Sequence, residues 1–154
     1  MGKRIDIPPE EYLRGLDDVV EQLQACVDNM EHGSAKGLAD ALMYVAEESQ
    51  QRAPIDTGDL RGSVRVELDG QAYAEGEKGG GVNVLGTVPE TAEKGSVSFN
   101  TPYAADQHEQ IYYDHPREGR SKYLESVLVD ESERILQAIA GGIIEEVFGG
   151  GADD

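Results

Sequence analysis

The chain has 154 residues and a formal net charge of −18, from 31 acidic and 13 basic side chains. Its length suits one domain with its own core. The charge argues against tight DNA or RNA binding, which needs basic patches to neutralise phosphates; no basic cluster exceeds Lys3-Arg4.

The opening Met1 to Leu13 lacks the apolar stretch of a signal peptide and the Ser or Thr of a myristoylation signal. A first helix is predicted over 8–31. Pro8 and Pro9 suit its start, and Glu10 and Glu11 favour the positive end of its dipole. Leu13, Leu16, Val19, Val20, Leu23, Cys26, Val27 and Met30 recur at steps of three and four, a helical stripe expected to face the core. Cys26, the single cysteine, has no partner for an internal disulfide and reads as a small core residue. Gly33 is expected to end this helix. Ser34 then caps a second one running to about Arg52, where Pro54 stops it.

Past Leu60 the period changes to two. Ser63 to Leu68 alternates polar and apolar, as a half-buried strand does. Residues 69–81 are rich in Gly and charge and read as an exposed, mobile loop. Val82 to Leu85 and Ser96 to Phe99 supply two further strands, and a short helix is expected over 102–113. A final helix is predicted from Ser121 to Phe148, with Leu124, Val127, Leu128, Ile135, Ile139, Ile143 and Val147 inward. Gly141-Gly142 should weaken or bend it. Residues 149–154 read as a flexible acidic tail. The expected fold is α+β: two N-terminal helices, a small antiparallel sheet and a long C-terminal helix. It forms one domain over 1–154, with its core in 8–148.

Metal chemistry is the sharpest catalytic reading of the residues. His108, Glu109, Asp114 and His115 fall within eight residues, with Asp106 nearby. A small metal-dependent hydrolase using His108 and Glu109 is therefore one alternative. The spacing disfavours it. Seven residues between the two His give about 10 Å of helical rise, too far for one tetrahedral zinc. Gly76 to Gly81 does not fit a phosphate-binding loop, because Lys78 is followed by glycines and then a strand instead of by Ser or Thr opening a helix. Tyr103, Tyr112, Tyr113 and Tyr123 lack the cationic neighbours of a base-stacking platform and read as core and interface groups. No cofactor and no metal are expected.

Three stretches carry a more specific signal. The first, Ala53 to Val64, contains Pro54, Asp56, Thr57, Gly58 and Leu60. By its chemistry it is a helix-to-strand turn, with Pro54 ending the helix, Gly58 taking positive φ and Leu60 anchoring the chain. The second is Thr101-Pro102-Tyr103-Ala104-Ala105-Asp106-Gln107-His108-Glu109. The third runs from His115 through Lys122-Tyr123-Leu124-Glu125. In this order they resemble the neck and tail-completion proteins of long-tailed phages and archaeal tailed viruses.

That resemblance spans roughly residues 40 to 130. It implies a structural virion protein with no enzymatic activity, assembled as a homo-oligomeric ring, commonly six-fold. The ring would sit in the head–tail neck, between a head-completion or adaptor ring and the tail terminator or tail tube, with DNA passing through unbound. Another ring of the same neck, such as a tail terminator or head-completion adaptor, is the nearer alternative. Tyr103, Gln107, His108, Glu109, His115 and Tyr123 are the expected interface residues. The excess of acid, with Arg at eight and Lys at five, points to a halophilic host such as an archaeon. Multimolar salt shortens the Debye length to about 3 Å or less, so acidic self-repulsion costs little there.

Overall fold

The structure, a computed structural model, describes residues 9–55, 58–109 and 121–149, with side chains from Leu16 onward except that of Gln107. Helix α1 spans Pro9–Arg52 and a short helix α2 spans Asp59–Gly62. Four strands follow: β1 Val64–Leu68, β2 Gln71–Gly76, β3 Val82–Val84 and β4 Gly95–Phe99. Three helices close the chain: α3 Ala104–Glu109, α4 Tyr123–Asp130 and α5 Ser132–Phe148. The fold is α+β, as the alternation of periods predicts.

The two predicted N-terminal helices are one helix of 44 residues. Gly33 does not terminate it, because glycine serves packing at this point. A Cβ on Gly33 would fall 2.7 Å from the carbonyl oxygen of Gly142 and 2.8 Å from the Cα of Ile143. A Cβ on Gly37 would collide with the backbone of Ile139. The Gly33 and Gly37 pair, four residues apart, lets α5 lie directly on α1. Gly142 returns the fit from the other side and sits inside a continuous α5. The predicted weakening at Gly141-Gly142 is thus absent as a break. The real interruption of the C-terminal helix is at Glu131, whose φ of −113° and ψ of 17° separate α4 from α5.

The sheet is antiparallel in the order β3-β2-β1-β4. Its strand β2 corrects the expected mobile loop over 69–81. Asp69 and Gly70 both have positive φ, 47° and 79°, the geometry of a two-residue hairpin turn whose twist matches the strands it joins. The Asp69 carboxylate accepts from the backbone N–H groups of Glu93 and Lys94 at 3.1 and 2.9 Å, tying the turn to the approach to β4.

Val64, Val66 and Leu68 alternate along β1 toward α1 and are buried. They meet Ala35, Ala39 and Ala46, with Leu38, Leu42 and Met43 beside them. Small residues on α1 let the helix approach the sheet closely. Its other side carries α4 and α5. Arg52, in the last turn, donates to Ser126 Oγ at 3.1 Å and pairs with Asp130 at 3.0 Å and Glu131 at 3.3 Å. Lys36 pairs with Glu146 at 3.1 Å. Among the described residues no helix is long and apolar enough to cross a membrane.

Candidate functional site

The three motif stretches meet in one place. Ala53, Leu60, Ala104 and Tyr123 form a single buried cluster, with Phe99 and Leu124 packed against it. Each comes from a different chain segment, so the cluster fastens the end of α1, the start of the sheet, α3 and α4 together. Gly58 has φ 86°, as the turn requires, and Leu60 is buried as its anchor. Pro54 is also buried. Asp56 and Thr57 lie outside the described residues.

Arg61 is the part of this junction that pattern reading missed. Its Nε donates to the Ala53 carbonyl and its Nη2 to the Gln51 carbonyl, both at 2.9 Å. These are carbonyls at the α1 terminus with no helical partner. Gln50, buried at 3% exposure, is a second such group. Its amide nitrogen donates to the carbonyls of Arg61 and Gly81 at 2.9 and 2.8 Å, and its oxygen accepts from the Gly81 N–H at 2.8 Å. It thereby clamps the β2–β3 connection onto α1.

Of the expected interface residues, Tyr123 is corrected. It is 2% exposed, and its hydroxyl donates to the Ala104 carbonyl at 2.9 Å. Burial pushes its pKa up to about 12. Phe99 and His108 stand edge-on to its ring, with centroids at 4.9 and 5.0 Å. His108 is engaged at both nitrogens. Nδ1 donates to Glu109 Oε1 at 2.7 Å, and Nε2 accepts from the Glu125 N–H at 3.3 Å. Glu109 also pairs with Lys122 at 2.6 Å, and these two donors hold its carboxyl below the usual range. His108 and Glu109 therefore splice α3 to α4 inside one subunit. Tyr103 is exposed. The Gln107 side chain, Asp114, His115 and residues 150–154 lie outside the described residues. Among the described residues no three His, Cys, Asp or Glu side chains converge as a metal site.

Among the described residues, the surface that lacks an internal partner is elsewhere, and it overturns a core expectation. Leu16, Val19, Val20, Leu23, Val27 and Met30 are all exposed, Val20 by 62%. Cys26 is exposed too. The stripe is there as predicted, but the sheet and α5 cover α1 only beyond about residue 32. The first half of α1 extends past them as an arm. The periodicity finds an apolar face and is silent on what covers it. At the root of the arm a groove of about 740 Å³ opens between α1, residues 91–93 and α5. Val27, Met30, Leu38, Ala92, Ile139 and Ile143 line it.

A second uncovered stripe runs along α5, where Leu136, Ala140, Ile144 and Phe148 recur every four residues and are all exposed. Phe148 is exposed by 78%. The predicted inward set, Ile135, Ile139, Ile143 and Val147, is partly buried, whereas Leu128 is exposed. Comparison of the chain with family models, curated proteins and solved structures gives no match.

Proposed function

We propose that this chain is a structural subunit of the neck of a long-tailed DNA virus, working as one copy in a homo-oligomeric ring and catalysing nothing. The observation that carries the reading is the pair of uncovered apolar stripes, on the α1 arm and on α5. Isolated proteins rarely leave contiguous apolar patches beyond a few hundred Å² in water. Two on one small domain call for neighbours on two sides, the condition for a ring.

The convergence of the three motif stretches supports the reading in a second way. Residues that resemble the neck family serve as fasteners of the fold: Leu60 as an anchor, Tyr123 through its bond to Ala104, and His108 through both ring nitrogens. An architectural protein needs its motif residues for this. A hydrolase would need His108 free to take a metal or a proton.

The acidic surface then has a mechanical use. DNA carries about one negative charge per 1.7 Å, and a negative ring wall offers it no counter-charge, so the duplex slides. Cryo-electron microscopy of the purified chain in about 2 M salt tests this. The expected image is a closed ring with an axial opening. A monomer that retains stoichiometric zinc after purification would favour the hydrolase instead.

A further inference from the structure

The arm and the α5 stripe fit one another. On the arm, Leu16, Val20, Leu23, Val27 and Met30 follow at alternating steps of four and three. That is the seam of a helix packing lengthwise against another helix. From Leu16 to Met30 it is about 21 Å long, at 1.5 Å per residue. The α5 stripe from Leu136 to Phe148 is about 18 Å long on the same measure. Each subunit carries one of each.

We propose that the occupant of the arm is a second copy of this chain, whose α5 stripe lies along Leu16 to Met30. The contact is head-to-tail, with the arm of one subunit on the α5 of the next. Three observations select it over arm-to-arm pairing. A symmetric arm pair would cover the arm stripes and leave both α5 stripes in water, whereas the head-to-tail contact covers both stripes in every subunit once the ring closes. The arm stripe also continues directly into the seam that α1 already uses within the subunit, where Gly33 and Gly37 receive α5. A neighbour's α5 thus extends an existing helix pair along the same face. Finally, the flanks of the arm carry Asp17, Asp18, Glu21, Asp28 and Glu31 with no basic residue between 15 and 31. Two arms side by side would set these five carboxylates against five more, whereas α5 carries Glu133, Glu145 and Glu146, the last paired with Lys36, and one base, Arg134, which stacks on Tyr44 within the subunit.

Five exposed apolar side chains on the arm and four on α5 supply the apolar centre of an interface, of which a stable one buries ~800 Å² on each side. This inference deepens the ring reading by naming its interface, and it rests on that reading only for closure.

Cys26 provides the test, because it is the only cysteine and lies exposed on the arm. A tagged Cys26→Ser/Ala140→Cys protein is mixed with the untagged wild type in about 2 M salt and mildly oxidised. The expected product is a disulfide dimer containing one of each, formed far more in the mixture than either protein dimerises alone. Val20→Glu/Leu23→Glu, at exposed positions that leave folding intact, should weaken association more than tenfold with an unchanged helical circular-dichroism signal. Wild-type Cys26–Cys26 dimers as the main product would overturn the proposal in favour of arm pairing. A closed oligomer by native mass with no mixed cross-link would overturn the interface and leave the ring reading standing. A monomer at every salt concentration would end both.

Discussion

Gly33 and Gly142 face each other so closely that a Cβ on the first would stand 2.7 Å from the carbonyl oxygen of the second. The contact is backbone against backbone, so no side chain can swing away to relieve it. Replacing Gly142 by Ala gains about 1 kcal/mol of helix propensity. Forcing the helices apart costs more, because overpacking of a tight seam runs to about 1–3 kcal/mol and strips neighbouring contacts. Gly142→Val adds a branched side chain to the same clash. We expect Gly142→Ala to lower the melting temperature despite its propensity and Gly142→Val to lower it further. A rise for Gly142→Ala would show that the helices are not in contact there.

Gly58 is held at φ 86°, and a Cβ there would fall 2.7 Å from the Lys78 carbonyl oxygen. The left-handed conformation alone costs an L-residue about 1–2 kcal/mol. Gly58→Val should therefore destabilise the fold by a few kcal/mol, measured by chemical denaturation.

Gln50 joins α1 to the backbone of Arg61 and Gly81 by three hydrogen bonds. Gln50→Leu keeps roughly the same volume but strands the Arg61 carbonyl and the Gly81 N–H, while the Gly81 carbonyl keeps its bond from the Glu77 N–H. Each unsatisfied buried group costs about 1–3 kcal/mol, unless the loop at 79–81 moves out to water. The expected result is a loss of about 2–4 kcal/mol, with faster amide exchange at Gly81 as its local signature.

The legible part of this fold was its period. Val64, Val66 and Leu68 alternate as strands do, and Ile135, Ile139, Ile143 and Val147 share a helical face, so both elements and their inward sides were readable. At Gly33 and Gly141-Gly142 the difficulty is that a glycine in a packed helix pair looks, in sequence, like a helix end or break. Gly33, Gly37 and Gly142 are packing residues: the first two lie four residues apart on α1 and face Gly142 on α5. The Asp69-Gly70 dipeptide is a hairpin signal that the surrounding charge masked. The stripe from Leu16 to Met30 was legible as apolar, but one chain's sequence does not say whether an apolar face turns to its own core or to a neighbour. For the motif stretches the order along the chain was visible. Their convergence on Tyr123 was not, because it depends on α3 and α4 meeting through the Ala104 carbonyl and His108.

Tyr123 sets the alkaline limit of this region. Burial raises its pKa from 10.0 to about 12, so the folded chain keeps a proton that the unfolded chain releases. The associated stability is complete below pH 10 and is lost as pH rises through 12. It amounts to about 3 kcal/mol at most. Tyr123→Phe should flatten that alkaline limb while costing about 1 kcal/mol at neutral pH for the bond to Ala104. Glu109 acts in the opposite direction: Lys122 and His108 lower its pKa, so its contribution is present above the ordinary carboxyl range and disappears as pH falls through the folded value. Denaturation midpoints of wild type and Tyr123→Phe across pH 7 to 12 check the first effect. An identical alkaline limb in both would contradict it.

Closure of copies of this chain into the proposed ring should depend strongly on salt. Six copies would bring a formal charge of −108 together (6 × −18). At 0.01 M salt that repulsion reaches about 30 Å, and in multimolar salt it shrinks to contact distance. Excluded salts also strengthen burial of the uncovered stripes on the arm and on α5. Both effects have the same sign. Sedimentation velocity of the purified chain from 0.01 to 2 M salt should show a monomer giving way steeply to one closed oligomer. An oligomer of constant size across that range would remove the halophilic host and keep the ring. A monomer throughout, with its apolar stripes still in water, would contradict the proposed ring.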